Sequence, residues 1–146
     1  MLSKRVTLVI ILSVIFVIPN FAQVGIGTIA PKSTLDINGN LSVKVVNLNG
    51  GPGGSATPIN DGVYISLTPT VGNLEFLLPN ATAVPGRVYI LRNVTDFETA
   101  QIYSLGGLFF SKQSKTATSA PLNMPPDALR KSVIIASDGF NWTYFD

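Results

Sequence analysis

The sequence predicts an all-β protein, with a short N-terminal stalk-like segment followed by one antiparallel β-sandwich or jelly-roll-like domain. Three observations carry this expectation. Thirteen glycines and ten prolines are spread along 146 residues, leaving no comfortable room for a long helix. Apolar residues recur at every second position in short runs bounded by turn formers, the period of a half-buried strand. Asp138-Gly139 stands between two such runs near the C-terminus, a strong local hairpin signal.

Residues 1–22 read as a secretory signal peptide. Lys4 and Arg5 precede an apolar run, Val6 to Ile18, in which only Thr7 and Ser13 are polar, and Ala22 supplies a small residue before the cut. The run is shorter than the roughly 20 residues a membrane span needs, so no span is expected once it is cleaved. No cysteine follows it, which excludes lipoprotein anchoring. The expected destination is outside the cytoplasm: extracellular or at the cell surface, with the periplasm also consistent. Loss of Lys4 and Arg5 leaves eight of the ten basic residues against eight acidic ones, a formal net charge of zero. The clustered Lys/Arg that nucleic acid requires is absent, so no nucleic-acid partner is expected. With no cysteine, packing and oligomerisation must stabilise the exported chain. With no histidine, it lacks the usual general base and the commonest metal ligand.

Residues 23–49 are expected to form the stalk-like segment and residues 58–146 the β domain. Between them, residues 50–57, which include most of the Gly-rich run Asn49 to Ser55, read equally as a flexible linker or a surface loop. In the body, Val63, Ile65 and Leu67 share one face, with Tyr64 and Ser66 on the other. Leu74, Phe76 and Leu78 share a face with Glu75 outward, and Val88 and Ile90 alternate with Tyr89 and Leu91. Pro69–Gly72 and Pro79–Gly86 carry loop chemistry. Leu105 to Phe110 is an apolar run around a Gly pair: a bulged strand, or a surface buried between subunits. Pro125 to Lys131 fits one helical turn with proline at its start. Ser132–Ser137 and Phe140–Phe145 flank Asp138-Gly139, which suits a type I′ turn and puts Phe140, Trp142 and Tyr144 on one face.

Candidate chemistry is sparse. Asp36-Ile37-Asn38-Gly39-Asn40 opens like a calcium loop, but the glycine falls early and Asn47 stands where the bidentate Glu belongs. A turn closed by Asp and Asn side chains is the simpler reading, and no metal or cofactor is expected. Tyr64, Tyr89, Tyr103 and Trp142 are candidate residues for a sugar-stacking ligand face, although Trp142 with Phe140 and Tyr144 fits the inner face of the hairpin better. Asn80-Ala-Thr82, Asn93-Val-Thr95 and Asn141-Trp-Thr143 match the glycosylation sequon by chance. Asp96, Glu98 and Asp127 show no catalytic spacing, and neither G-x-S-x-G nor S-x-x-K occurs, so an unrecognised hydrolase is the least favoured reading.

The run Val24 to Gly39, V-G-I-G-T-I-A-P-K-S-T-L-D-I-N-G, resembles the V-G-I-G-T-x-x-P-x-x-x-L-D-[VI]-x-G unit of phage tail fibres and of secreted fibre-like or adhesin-like proteins of Bacteroidetes-type bacteria. The unit occurs once. In those proteins it starts or punctuates a trimeric β stalk. The resemblance therefore implies a homotrimer in which Val24, Ile26, Leu35 and Ile37 supply apolar contacts, while Gly25 and Gly27 permit close approach. A weaker resemblance covers Leu77 to Val94 and Ser137 to Trp142, which look like small β domains at the ends of tail-fibre and tailspike-like proteins. Many proteins with this unit end in a self-cleaving chaperone domain that this sequence lacks, so its own body is expected to drive assembly. Together these readings imply a secreted, non-catalytic structural or adhesive protein whose partners are other copies of itself and a surface glycan or cell-surface protein. The alternative is a monomeric carbohydrate-binding module.

Overall fold

A computed structural model describes residues 23–127 and 129–146. The signal peptide expected over residues 1–22 lies outside the described residues. The chain divides between Ser42 and Val43 into two units, each considered by itself.

In the first unit β1 (Val24–Ile26) pairs in parallel with β2 (Leu35–Ile37), Val24 opposite Leu35 and Ile26 opposite Ile37. The connecting loop closes on itself. Val24 N–H donates to the Thr34 carbonyl at 2.8 Å and Asn38 N–H to the Ile26 carbonyl at 2.9 Å. The Asp36 carboxylate accepts the Lys32 N–H at 2.8 Å and the Asn38 side chain donates to the Gly27 carbonyl at 3.3 Å, as the turn reading of these residues requires.

The second unit is built from β3 (Val45–Asn49), β4 (Gly51–Pro52), β5 (Thr57–Pro58), β6 (Tyr64–Thr68), β7 (Asn73–Asn80), β8 (Val88–Asn93), β9 (Ala100–Gly106), β10 (Phe109–Ser111), β11 (Leu122–Met124), β12 (Ser132–Ser137) and β13 (Trp142–Phe145). One sheet runs β10-β13-β12-β8-β6-β3; the other runs β11-β9-β7-β4, with β5 also on β7. The protein is all-β, as its periodicity predicts. The alternation works strand by strand: Ile65 and Leu67, Phe76 and Leu78, Tyr89 and Leu91, Val133 and Ile135 are buried while their neighbours face outward. Side chains from both sheets form one core around Trp142, Tyr89, Phe76 and Ile102. Each fully buried large side chain contributes about 1.5–3 kcal/mol by leaving water.

The expectation of antiparallel pairing is corrected. β3, β6 and β8 run parallel to one another, as do β5, β7 and β9. The reason is the path of the chain: β6, β7, β8 and β9 go to alternate sheets, so each sheet receives every second strand in the same sense. Antiparallel pairs are found at β12 with β8 and β13, at β11 with β9, and at β4 with β7.

The Gly-rich run is not a linker. Its first residues join the sheet: Gly51 pairs opposite Glu75 and is buried, and only residues 53–55 form an exposed turn. Gly50 approaches β7 so closely that a Cβ there would meet the Asn73 carbonyl oxygen at 2.1 Å, which explains glycine without flexibility.

The C-terminal hairpin forms between β12 and β13, but not with a type I′ turn. Ser137 pairs with Trp142, so residues 138–141 make the loop, and of Asp138 and Gly139 only Gly139 has positive φ, at 93°. Asp138 instead uses its carboxylate, which accepts the N–H groups of Phe140 at 2.8 Å and Asn141 at 2.7 Å. The strand therefore starts at Trp142 and leaves Phe140 exposed in the loop, off the face it was expected to share. Moving the first pair by two residues preserves the alternation, so Trp142 and Tyr144 still face the core.

Those two N–H donors, Asn141 first, hold the Asp138 carboxyl below its ordinary value of 3.8. A depressed folded value means stability that is present above the unfolded value and lost as pH falls through the folded one. Urea midpoints measured from neutral pH downward should therefore fall off below about pH 4, and Asp138→Asn should flatten that limb. An unchanged acid limb in the variant would remove Asp138 from the account.

Candidate functional site

Two exposed apolar faces stand out, one in each unit. In the first, pairing of β1 with β2 puts Val24, Ile26, Leu35 and Ile37 on one side of the ribbon. Val24, Ile26 and Leu35 are each more than half exposed, and Ile37 is half-buried. These are the apolar residues assigned to assembly from the sequence, and among the described residues of their unit much of their surface stays uncovered. The glycines between them act inside the chain. A Cβ on Gly25 would meet the Thr28 carbonyl oxygen at 2.5 Å; Gly27 sits at φ 71° with the Asn38 carbonyl oxygen 2.8 Å from where its Cβ would be. Local loop closure accounts for both.

The second face lies on the solvent side of the six-stranded sheet. Register brings Val45, Tyr64, Ile90, Ile134 and Phe145 into one row across five strands. Their chain neighbours Ile65, Leu91, Val133 and Ile135 point to the core, so this row points away from it. Val45 is 59% exposed, Ile134 47% and Phe145 47%, while Tyr64 and Ile90 are half-buried. On one side the next row is Val88, Ala136, Thr143 and Phe110; on the other it is Asn47, Ser66, Arg92 and Ser132. An apolar stripe thus runs across the sheet with a polar border along one flank. Sequence reasoning missed it, although a signal was present. Val88–Leu91 and Val133–Ala136 are apolar at both parities, the pattern of a strand with two apolar faces.

The candidate ligand aromatics separate. Tyr89 and Trp142 are fully buried, with ring centroids 6.0 Å apart, and the Tyr89 hydroxyl donates to the Ile59 carbonyl at 3.3 Å. Neither can stack on a ligand, because both rings fill the core. Tyr64 belongs to the apolar row. Tyr103 lies on the outer side of the other sheet, opposite Leu77 and one outward position from Glu75. Burial, then the nearby Glu75 charge, push its phenol up from the ordinary value, so it stays protonated.

Two of the sequons have a local structural use. Asn80 Oδ1 accepts both the N–H and the hydroxyl of Thr82, at 3.1 and 2.9 Å, capping the 3-10 turn Ala81–Ala83. Asn93 Oδ1 accepts the same pair from Thr95, at 3.0 and 2.9 Å. Asn93 is also fully buried, and its amide donates to the carbonyls of Glu98 at 2.7 Å and Met124 at 2.9 Å. Of the acidic residues considered for catalysis, Asp96 bonds Lys131, which holds its carboxyl below the ordinary value. Glu98 contributes its backbone carbonyl to Asn93, and Asp127 is exposed. The Leu105–Phe110 run crosses from β9 to β10 between the two sheets: Leu105 and Leu108 are exposed while Phe109 is buried.

Among the described residues no helix is long and apolar enough to cross a membrane. Comparison with protein-family models, curated proteins and solved structures returns no match for this chain.

Proposed function

We propose that this chain is an exported, non-catalytic structural or adhesive protein of the cell surface that assembles from identical copies into a trimer. In this reading the N-terminal ribbon is a stalk-like assembly segment and the two sheets of the body form a sandwich-like head. The observation that carries it is the row Val45, Tyr64, Ile90, Ile134 and Phe145, five large side chains in register on a face turned away from the core.

The occupant it favours is a second copy of the chain. The row contains no charged residue, and the exported chain carries no net charge to drive copies apart. Area also bears on the choice. Six strands at about 4.8 Å spacing and five residues at about 3.3 Å rise give a sheet face of about 500 Å² in plan. A stable interface needs about 800 Å² per partner, so the sheet face benefits from the second apolar surface on the ribbon. A closed ring of three joins unlike surfaces of neighbouring copies, which a chain with two separate apolar faces can supply.

Light scattering after size exclusion, on the exported chain across a dilution series, tests the assembly. The expected mass is three times that of the chain, retained on dilution. A folded monomer at every concentration would sink the trimeric reading.

A further inference from the structure

We propose that the solvent face of the five-stranded sheet holds a binding site for a single uncharged pyranose, formed by Tyr103, Leu77 and Glu75 against Gly54 of the exposed turn and Ala56 just after it. The site rests on the adhesive half of the function proposed above and is independent of the oligomeric state.

These residues and Ser104 line a pocket of about 350 Å³. That volume is at the small end of the range for ligand sites, about 300–1,000 Å³, and fits a small ring rather than an extended chain. The floor is apolar: Leu77 and Tyr103 stand directly opposite each other on β7 and β9, and Ala56 adds a methyl group. Glu75 rises from the next outward position of β7, where its Oε2 accepts the Gly54 N–H at 2.9 Å. Its charge also acts on the Tyr103 phenol, which burial and then that charge push up from the ordinary value. A carboxylate offers about four acceptor sites, so the bond from Gly54 orients it and leaves capacity for incoming hydroxyl donors.

A pyranose has the matching pattern, an apolar C–H face for the tyrosine ring and leucine and a hydroxyl edge for the carboxylate. Charge narrows the class. Among the described residues Glu75 is the one charged residue lining the pocket, so sulfated, phosphorylated or carboxylated sugars would meet a like charge. A compact cation fits less well. Among the described residues the pocket offers a single carboxylate, whereas a hard cation takes about six oxygen ligands.

The test uses the exported chain and simple probes: methyl glucoside, methyl galactoside and methyl mannoside, with methyl glucuronide and tetramethylammonium as charged controls. Saturation-transfer NMR and titration report binding. At least one neutral glycoside should bind, and both charged probes should bind more weakly. Tyr103→Ala should weaken binding about tenfold through loss of the stacking face. Ala56→Leu fills the pocket from the turn without touching the core, and should weaken binding by a similar factor even if Tyr103→Ala fails to fold. Phe97→Ala, exposed in the loop between β8 and β9, should leave binding unchanged. Absence of binding by every neutral glycoside, full binding by Ala56→Leu, or preference for either charged probe would overturn the site. A trimer that binds no neutral glycoside removes the pocket alone. A monomer that binds one keeps the pocket and removes the assembly.

Discussion

Asn93→Ala is expected to lower the unfolding free energy by about 3–5 kcal/mol, a large share of the 5–15 kcal/mol available to a typical domain. The substitution leaves the buried Met124 carbonyl and the Thr95 N–H without their partner, while the Thr95 hydroxyl and the Glu98 carbonyl keep only their own bond at 3.2 Å. Each buried polar group left unpaired costs about 1–3 kcal/mol. Asn80→Ala is the matched control. It has the same Asn-x-Thr bonds, but its side chain is exposed and makes no link to a distant strand. Its loss should be that of an ordinary helix cap, about 0.5–2 kcal/mol. Urea unfolding of both variants decides the matter, and equal losses would show that the link to Met124 contributes little.

The second large effect separates two adjacent residues of one strand. Ile135 is fully buried, whereas Ile134, next to it, sits 47% exposed in the apolar row. Ile135→Glu should unfold the protein, because an unpaired carboxylate in the core costs several kcal/mol. Ile134→Glu should keep the folded body within about 1 kcal/mol of its original stability, as surface substitutions do. In the proposed trimer it should also reduce the solution mass to that of one chain, because three carboxylates cannot be buried in the interfaces. Circular dichroism and light scattering read the two outcomes together. An Ile134→Glu trimer as stable as the parent would exclude this row from the interface.

Much of the strand content was legible because it depends on local alternation. The inward faces of β6 and β7 follow from Ile65, Leu67, Phe76 and Leu78 at every second position. The hairpin was legible too, and it survives a turn of a different kind because moving the first pair by two residues leaves each side chain on its own face. Where the sequence misled, the missing information was non-local. Val88–Leu91 is apolar at both parities, so nothing in the run says that Tyr89 faces the core and Ile90 the solvent. Tyr89 and Trp142, candidates for a ligand face, fill the core instead. Gly50 and Gly51 look flexible until the approach of β7 is known.

The sequence by itself determined the class of structure, all-β, since the period of two and the dense glycines and prolines act over a few residues at a time. It also determined the apolar set of the N-terminal ribbon, because Val24, Ile26, Leu35 and Ile37 fall on one face whenever the two short strands pair in register. Only the tertiary structure decided the direction of the strands, the row Val45 to Phe145 and the setting of Tyr103 beside Glu75 and Leu77. Each of these depends on which strand lies next to which. Here the chain deals β5 to β12 alternately to the two sheets, so most neighbours in space come from distant parts of the sequence.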